Sequence, residues 1–138
     1  MLNSILIDAG PLIALFNAKD KHHRNVKTFL KKHPYRYVST LAVMTEVSHM
    51  LDFSSAAQHD FYEWVMCKGV IISDINQNDM PRLLELTDKH VDLPMDFADA
   101  TLVITAEKTG IREILSMDSD FDIYRLSGQA QIHNILKM

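Results

Sequence analysis

The sequence predicts an α/β fold built on a mostly parallel β-sheet. Three observations point there. Short apolar, β-leaning runs recur along the chain, at residues 4–7, 36–39, 70–73 and 113–116. Helical stretches separate them, and parallel strands are joined by such crossovers. Nothing divides the 138 residues, since there is no internal repeat, low-complexity segment or Gly/Ser linker. The length is that of one domain, expected to cover residues 1–138.

Residues 4–7 form the first strand, ending at Asp8. Ala-Gly-Pro follows, and Pro11 suits the first turn of a helix, where a missing N–H costs nothing. Leu12, Ile13, Leu15 and Phe16 make that helix apolar. Asp20 is placed to cap a second helix through about residue 32, with Val26, Phe29 and Leu30 inward and His33-Pro34 as its stop. After the strand at 36–39, Thr40 caps a helix from 41 to about 52, whose expected inward set is Leu41, Met44, Val47, Ser48 and Leu51. Residues 56–67 form a further helix, Gly69 breaks it, and 70–73 is the third strand. Residues 77–90 are amphipathic through Leu83, Leu84 and Leu86. Asp96 follows Pro94 and opens a helix over 96–108 with Gly110 as its C-terminal cap. The fourth strand lies at 113–116 and a fifth is expected at 123–126. The last dozen residues fit strand or helix.

Composition sets the class. Hydrophobic residues make up 47% and charged residues 23%, the balance of a globular protein able to bury a core without disulfides. Cys67 is the only cysteine. It forms no internal disulfide and no Cys-rich zinc site, which favours a reducing, cytoplasmic setting. No apolar run approaches the ~18 residues of a membrane span, and MLNSILIDAG lacks the features of a signal peptide. Net charge is −4, so there is no global basic footprint. Lys19, Lys21, Arg24, Lys27, Lys31 and Lys32 nevertheless form a local basic segment, which reads first as a solvated helix face.

In parallel sheets the ligand site lies beyond the carboxyl ends of the strands. Asp8 ends the first strand, and Asp118 follows the fourth in ILSMDSDF. Glu46 stands in the otherwise apolar STLAVMTEV, where an acid is costly to bury unless paired or coordinated. Asp96 and Asp99 share one face of MDFADATLVITA, one turn apart. Capping explains Asp96; Asp99, flanked by Ala98 and Ala100, needs another reason. Singly, each acid has an ordinary reading as a turn former, cap or rim residue. Together they would repel one another and raise one another's pKa values unless a cation compensates. Hard oxygen ligands without Cys or His suit Mg²⁺ or Mn²⁺, and such a site serves phosphodiester hydrolysis through an activated water.

The segments ILIDAGPLIALF, STLAVMTEVSHML and LPMDFADATLVITAEKTGIREILSMDSDFDIYRL resemble those of PIN-domain ribonucleases, VapC-type toxins of toxin–antitoxin pairs above all. They span nearly the whole chain in the family's order. The resemblance implies a PIN-like fold, with a mostly parallel sheet of four to five strands and helices on both sides. It assigns Asp8, Glu46, Asp99 and Asp118 as catalytic metal-binding acids, with Asp96 as an accessory metal ligand or water-positioning group. Ser116 stands where the family often has Thr, placed to orient a carboxylate or a metal-bound water, and Asp120 is an accessory residue that more readily turns the chain. The resemblance further implies Mg²⁺ or Mn²⁺ as cofactor, RNA as substrate (tRNA, rRNA or mRNA), a cognate antitoxin, a homodimer and a cytoplasmic location without membrane attachment.

Two other readings compete with this one. A non-catalytic PIN-like module would bind RNA or protein and use the acids structurally; the complete acid set argues against it. A haloacid-dehalogenase-type phosphatase needs a second Asp two residues after the first, where Gly10 stands. Neither His49 nor His90 has a partner at helical spacing for a zinc site. His22 and His23, at the start of the basic segment, are candidates for phosphate contact, though exposed cap neighbours are the commoner case.

Overall fold

The computed structural model of the chain describes residues 3–90 and 95–136. Five strands form one sheet in the order β3-β2-β1-β4-β5: β1 (Ser4–Ile7), β2 (Arg36–Thr40), β3 (Ile71–Ser73), β4 (Glu113–Leu115) and β5 (His133–Asn134). Every pairing is parallel. Six α-helices connect them: α1 (Ala9–Phe16), α2 (His23–Lys32), α3 (Leu41–Met50), α4 (Ser55–Met66), α5 (Met80–Lys89) and α6 (Phe97–Thr109). From β1 the chain steps outward to β2 and β3, then returns to the other side of β1 as β4. With right-handed crossovers, this reversal places α5 and α6 on the face opposite α1 to α4. Accordingly α1 packs against α2, α3 and α4, while α5 packs on α6 and α6 lies over β2. The point of reversal is the gap between β1 and β4. Asp8 and Ser116 stand at that gap.

The central strand β1 is buried through Ile5, Leu6 and Ile7, and α6 is buried from Ala98 to Ala106. A helix enclosed on most sides shows no polar stripe, which is why its sequence reads as continuously apolar. Its ends carry the stop signals: Asp96 caps the N-terminus, and Gly110 takes the left-handed conformation at the C-terminus with φ 82°. Arg82 of α5 forks onto Glu107 of α6 at 3.0 and 2.7 Å, and Glu107 also accepts from Ser127 N–H at 2.8 Å. These contacts tie α5 and the C-terminal segment to α6.

Several boundaries differ from expectation for local reasons. Asp20 does not cap α2. Its carboxylate accepts from His22 N–H at 2.8 Å in a turn, and the helix starts at His23. Leu41 is 66% exposed rather than inward, because Thr40 caps α3 and the first helical residue projects away from the sheet; Met44, Val47 and Leu51 are buried as expected, and Val43 joins them in the core. Leu84 is likewise exposed. The fifth strand is not at 123–126. There the N–H groups of Ile123 and Tyr124 both turn back to the Asp120 carbonyl, and Arg125 donates to the carbonyls of residues 122, 123 and 124. Buried Tyr124 and Leu126 around Arg125 imitate strand alternation, yet the backbone is bonded locally apart from one antiparallel bridge to Gln131. The strand forms later, at His133–Asn134. Pro94 lies outside the described residues, so its part in the α6 entry is not described.

Gly69 has a packing role. A Cβ there would overlap the indole of Trp64, which packs edge-on against Phe16 with ring centroids 5.5 Å apart. Gly69→Ala is therefore expected to destabilise the fold by about 1–3 kcal/mol, the usual cost of overpacking. Urea unfolding checks this; an unchanged midpoint would show that the indole moves freely.

Candidate metal centre

Parallel pairing carries the first acid to its place. The Asp8 N–H donates to the Leu115 carbonyl at 3.0 Å, so the β1–β4 ladder extends to Asp8 and fixes it beside the end of β4. One carboxylate oxygen of Asp8 accepts from Ala9 N–H at 2.8 Å, capping α1, and the other accepts from Ser116 Oγ at 3.0 Å. Ser116 Oγ in turn accepts from Asp118 N–H at 2.9 Å, and the Asp118 carboxylate accepts from Asp120 N–H at 2.9 Å. One hydroxyl thus links the acid of β1 to the turn that presents the acid after β4. Ser116 is itself held on both sides by the Asn134 side chain, which accepts from its N–H at 3.2 Å and donates to its carbonyl at 2.9 Å.

The other acids arrive on helices. Asp96 caps α6 by accepting from Asp99 N–H at 2.8 Å, which sets Asp99 one turn into the helix. Asp99 is 8% exposed, and Tyr124 Oη donates to its Oδ2 at 3.3 Å. Glu46 lies on the second turn of α3 with its head exposed. Asp8, Glu46, Asp96, Asp99 and Asp118 line a single cleft of about 380 Å³ together with Ala9, Gly10 and Met117. Among the described residues, no Lys or Arg lines it. Gly10 lets the Met117 side chain pack closely against it, since a Cβ there would press on Met117 at 3.2 Å.

Electrostatics follow from this crowding. Burial pushes the Asp99 carboxyl up to about 7, with Asp96, Asp8 and Asp118 adding to the rise and the Asp96 backbone N–H opposing it. The cap bond of α6 runs from Asp99 N–H to the Asp96 side chain, so capping does not explain the burial of the Asp99 carboxylate among other acids. Asp8 is also raised, chiefly by burial, although Ala9 N–H and Ser116 favour its charged form. Glu46 is raised by partial desolvation and by Asp8 and Asp96. Asp120 is raised too, through desolvation and then Asp118, but it does not line the cleft. Its N–H serves the turn, in keeping with its reading as a turn former.

All five predicted acids therefore meet, and Ser116 lies where it orients Asp8. Sequence reasoning missed Asn134 and Tyr124. Asn134 sits in a two-residue strand with no pattern to announce it, and Tyr124 reads as ordinary core.

With this geometry in hand, comparison with known families decides the assignment: residues 5–126 match the PIN domain. The chain belongs to the PIN-domain family. A solved structure, that of the sarcin-ricin loop cleaving toxin VapC20 from Mycobacterium tuberculosis, superposes with a TM-score of 0.79 at 22% sequence identity. The match covers 86% of this chain and 93% of that one. A comparison with curated proteins finds no match.

The family resemblance implies a divalent ion, and this PIN domain's residues fit one. Its donors are hard carboxylate oxygens, no cation among the described residues lines the cleft, and the burial and mutual repulsion that raise Asp8, Glu46 and Asp99 are what a divalent cation offsets. A second group of candidate ligands, His59, Asp60 and Glu63, is exposed on the outer face of α4. Its members contact one another at 3.8–3.9 Å as an ordinary helix-surface arrangement.

Proposed function

We propose that this PIN domain is a divalent-metal-dependent endoribonuclease that hydrolyses RNA phosphodiester bonds, and that it is the toxin of a type II toxin–antitoxin pair. One observation carries the reading: five carboxylates crowd a cleft without a cation, and one of them is pushed up to about 7. Structural acids are normally paired or solvated, so retaining this cluster makes sense where an ion and its substrate complete it. Asp8, Glu46, Asp99 and Asp118 would hold Mg²⁺ or Mn²⁺, with Asp96 as a further ligand. The ion supplies activation of a water and offsets charge on the phosphate.

The chain's own residues prepare the site. Ser116 donates to Asp8 and so holds one of its oxygens in a fixed direction, while Asn134 holds Ser116. Tyr124 does the same for one oxygen of Asp99. Such supports set ligand orientation in metal sites. No Ser, Cys or His nucleophile is required, because the attacking group is a water. The toxin assignment draws on the motif resemblance and on the likeness to the VapC20 fold. It carries with it a cognate antitoxin, a homodimer and a cytoplasmic location.

The test is incubation of the purified protein with a pool of cellular RNAs and Mn²⁺ or Mg²⁺, with sequencing of the cut ends. Cleavage is expected with either ion and abolished by EDTA. It is also expected to fail for Asp8→Asn, with an unchanged circular dichroism spectrum. EDTA-resistant cleavage, or full activity in that variant, would overturn the reading in favour of a contaminant or a different centre. Absence of saturable divalent binding would favour a non-catalytic module.

A further inference from the structure

The acidic cleft leaves a problem that the rest of the molecule answers. A single-stranded RNA carries a phosphate at every nucleotide, and those flanking the scissile one need cations the cleft lacks. Six of the fourteen Lys and Arg fall between residues 21 and 45, a stretch without Asp or Glu, so all eighteen acids face only eight cations elsewhere. Helix α2 organises this excess. Arg24, Lys27 and Lys31, at i, i+3 and i+7, share the face opposite buried Val26, and Lys21 precedes them in the turn. All four are exposed, and among the described residues none takes part in an ion pair.

A solvated helix face does not account for the order of these charges. Lys31 lies in the last turn, where the helix dipole favours a cation, but Lys21 and Arg24 stand at the N-terminus, where it opposes one. An anion bound there would reverse the cost. The N-terminus of α2 also points to the right place. His22 lines a cavity of about 400 Å³ with Ser116, Met117, Ser119, Asn134, Leu136 and one acid, Asp122, and Met117 is equally a wall of the metal cleft. The cavity and the cleft therefore adjoin on either side of Met117, and the basic face of α2 begins at the cavity's rim.

We infer that Lys21, Arg24, Lys27 and Lys31 form a track for the RNA backbone, which enters the metal cleft past His22 and Met117. The inference rests on RNA being the substrate. The contacts are to phosphate, so the track supplies affinity and register without reading sequence.

The experiment compares the Lys21→Glu/Arg24→Glu/Lys27→Glu variant with its parent. RNA binding is measured by fluorescence anisotropy in the Asp99→Asn background, so that no cleavage intervenes, using a single-stranded RNA long enough to cover both cleft and α2. The slope of log affinity against log salt is expected to fall by about 2, at roughly 0.7 for each phosphate no longer neutralised, with at least about tenfold weaker binding at 0.1 M salt. In otherwise wild-type protein, a trinucleotide too short to reach α2 is expected to be cut at the parental rate while the long RNA is cut more slowly. The neutral pair Arg24→Gln/Lys27→Gln, which cannot disturb folding through reversed charge, is expected to lower the slope by about 1.4. An unchanged slope, an equal loss on the trinucleotide, or absence of RNA binding by the parent would overturn the track. If the slope falls although the wild-type protein cuts no RNA, the track stands and the nuclease reading fails.

Discussion

Asp99→Asn is expected to abolish metal-dependent RNA cleavage while making the metal-free protein more stable at neutral pH. The two effects share a cause. Asp99 is buried beside Asp96, Asp8 and Asp118, and its carboxyl is pushed up to about 7, so its negative charge is unfavourable in the absence of a cation. Asparagine has nearly the same shape and keeps an oxygen to accept from Tyr124, but it carries no charge and is a poor ligand for Mg²⁺ or Mn²⁺. The metal's charge stabilisation is worth several kcal/mol in the transition state. At 1.36 kcal/mol per decade, its loss lowers the rate by about 10²–10⁴. Single-turnover cleavage with Mn²⁺ checks the first effect and thermal melting in EDTA the second. A variant that is both inactive and less stable would place Asp99 among structural residues. A variant that is stable and active would remove it from the metal centre.

The acids were legible in the sequence because each sits at a boundary that local rules predict. Asp8 closes an apolar strand, Asp96 opens a helix ended by Gly110, and Asp118 follows a strand and caps a turn. Parallel topology then does the assembly, since strand ends and helix starts gather along one edge of the sheet. Glu46 was legible for a different reason, as an acid in an apolar helix, and it reaches the cleft with its head exposed. Helices α3 and α6 begin or end beside their capping signals, Thr40 for α3 and Asp96 and Gly110 for α6, for the same local reasons.

What escaped was decided by contacts distant in sequence. Asn134 supports Ser116 from 18 residues away, and neither residue alone signals the pairing. Residues 123–126 have the apolar alternation of a strand, but the Asp120 carbonyl and the Arg125 side chain close that backbone locally before it can join the sheet. Leu41 lies on the apolar stripe of α3 read as a wheel, and Met44, Val47 and Leu51 of that stripe are buried as expected, but Leu41 is the first helical residue after the Thr40 cap and stands exposed at the helix end. Period and propensity describe the face of an element; where along that face the core ends belongs to the tertiary fit.

The same crowding predicts how stability depends on pH, and here the sign is opposite to that of an ordinary salt-bridged acid. Asp99 titrates near 3.8 when exposed and at about 7 in the folded chain. Between those values the native state holds a proton that the unfolded state has released, so stability falls as pH rises from about 4 to 7 and levels off above. Burial moves Asp8 and Glu46 in the same direction. Asp79 and Glu107 act oppositely. Their pKa values are lowered, by the Asn76 N–H and Lys108 for Asp79 and by Arg82 and Ser127 N–H for Glu107, so their contribution is lost only on acidification below the ordinary carboxylate range. At about 1.4 kcal/mol per pKa unit, Asp99 alone makes the fall between pH 5 and 7.5 a matter of a few kcal/mol, or roughly 5–10 °C in melting temperature. A divalent ion binds the deprotonated cluster and stabilises the folded state by mass action, so saturating Mn²⁺ is expected to flatten or reverse the slope. Asp99→Asn in EDTA is expected to lose most of it. Melting curves across this pH range, with EDTA and with Mn²⁺, separate the outcomes: a metal-free protein whose stability rises with pH would mean that the carboxylates are already compensated from within the fold, and the case for an ion at this cleft would fall with it.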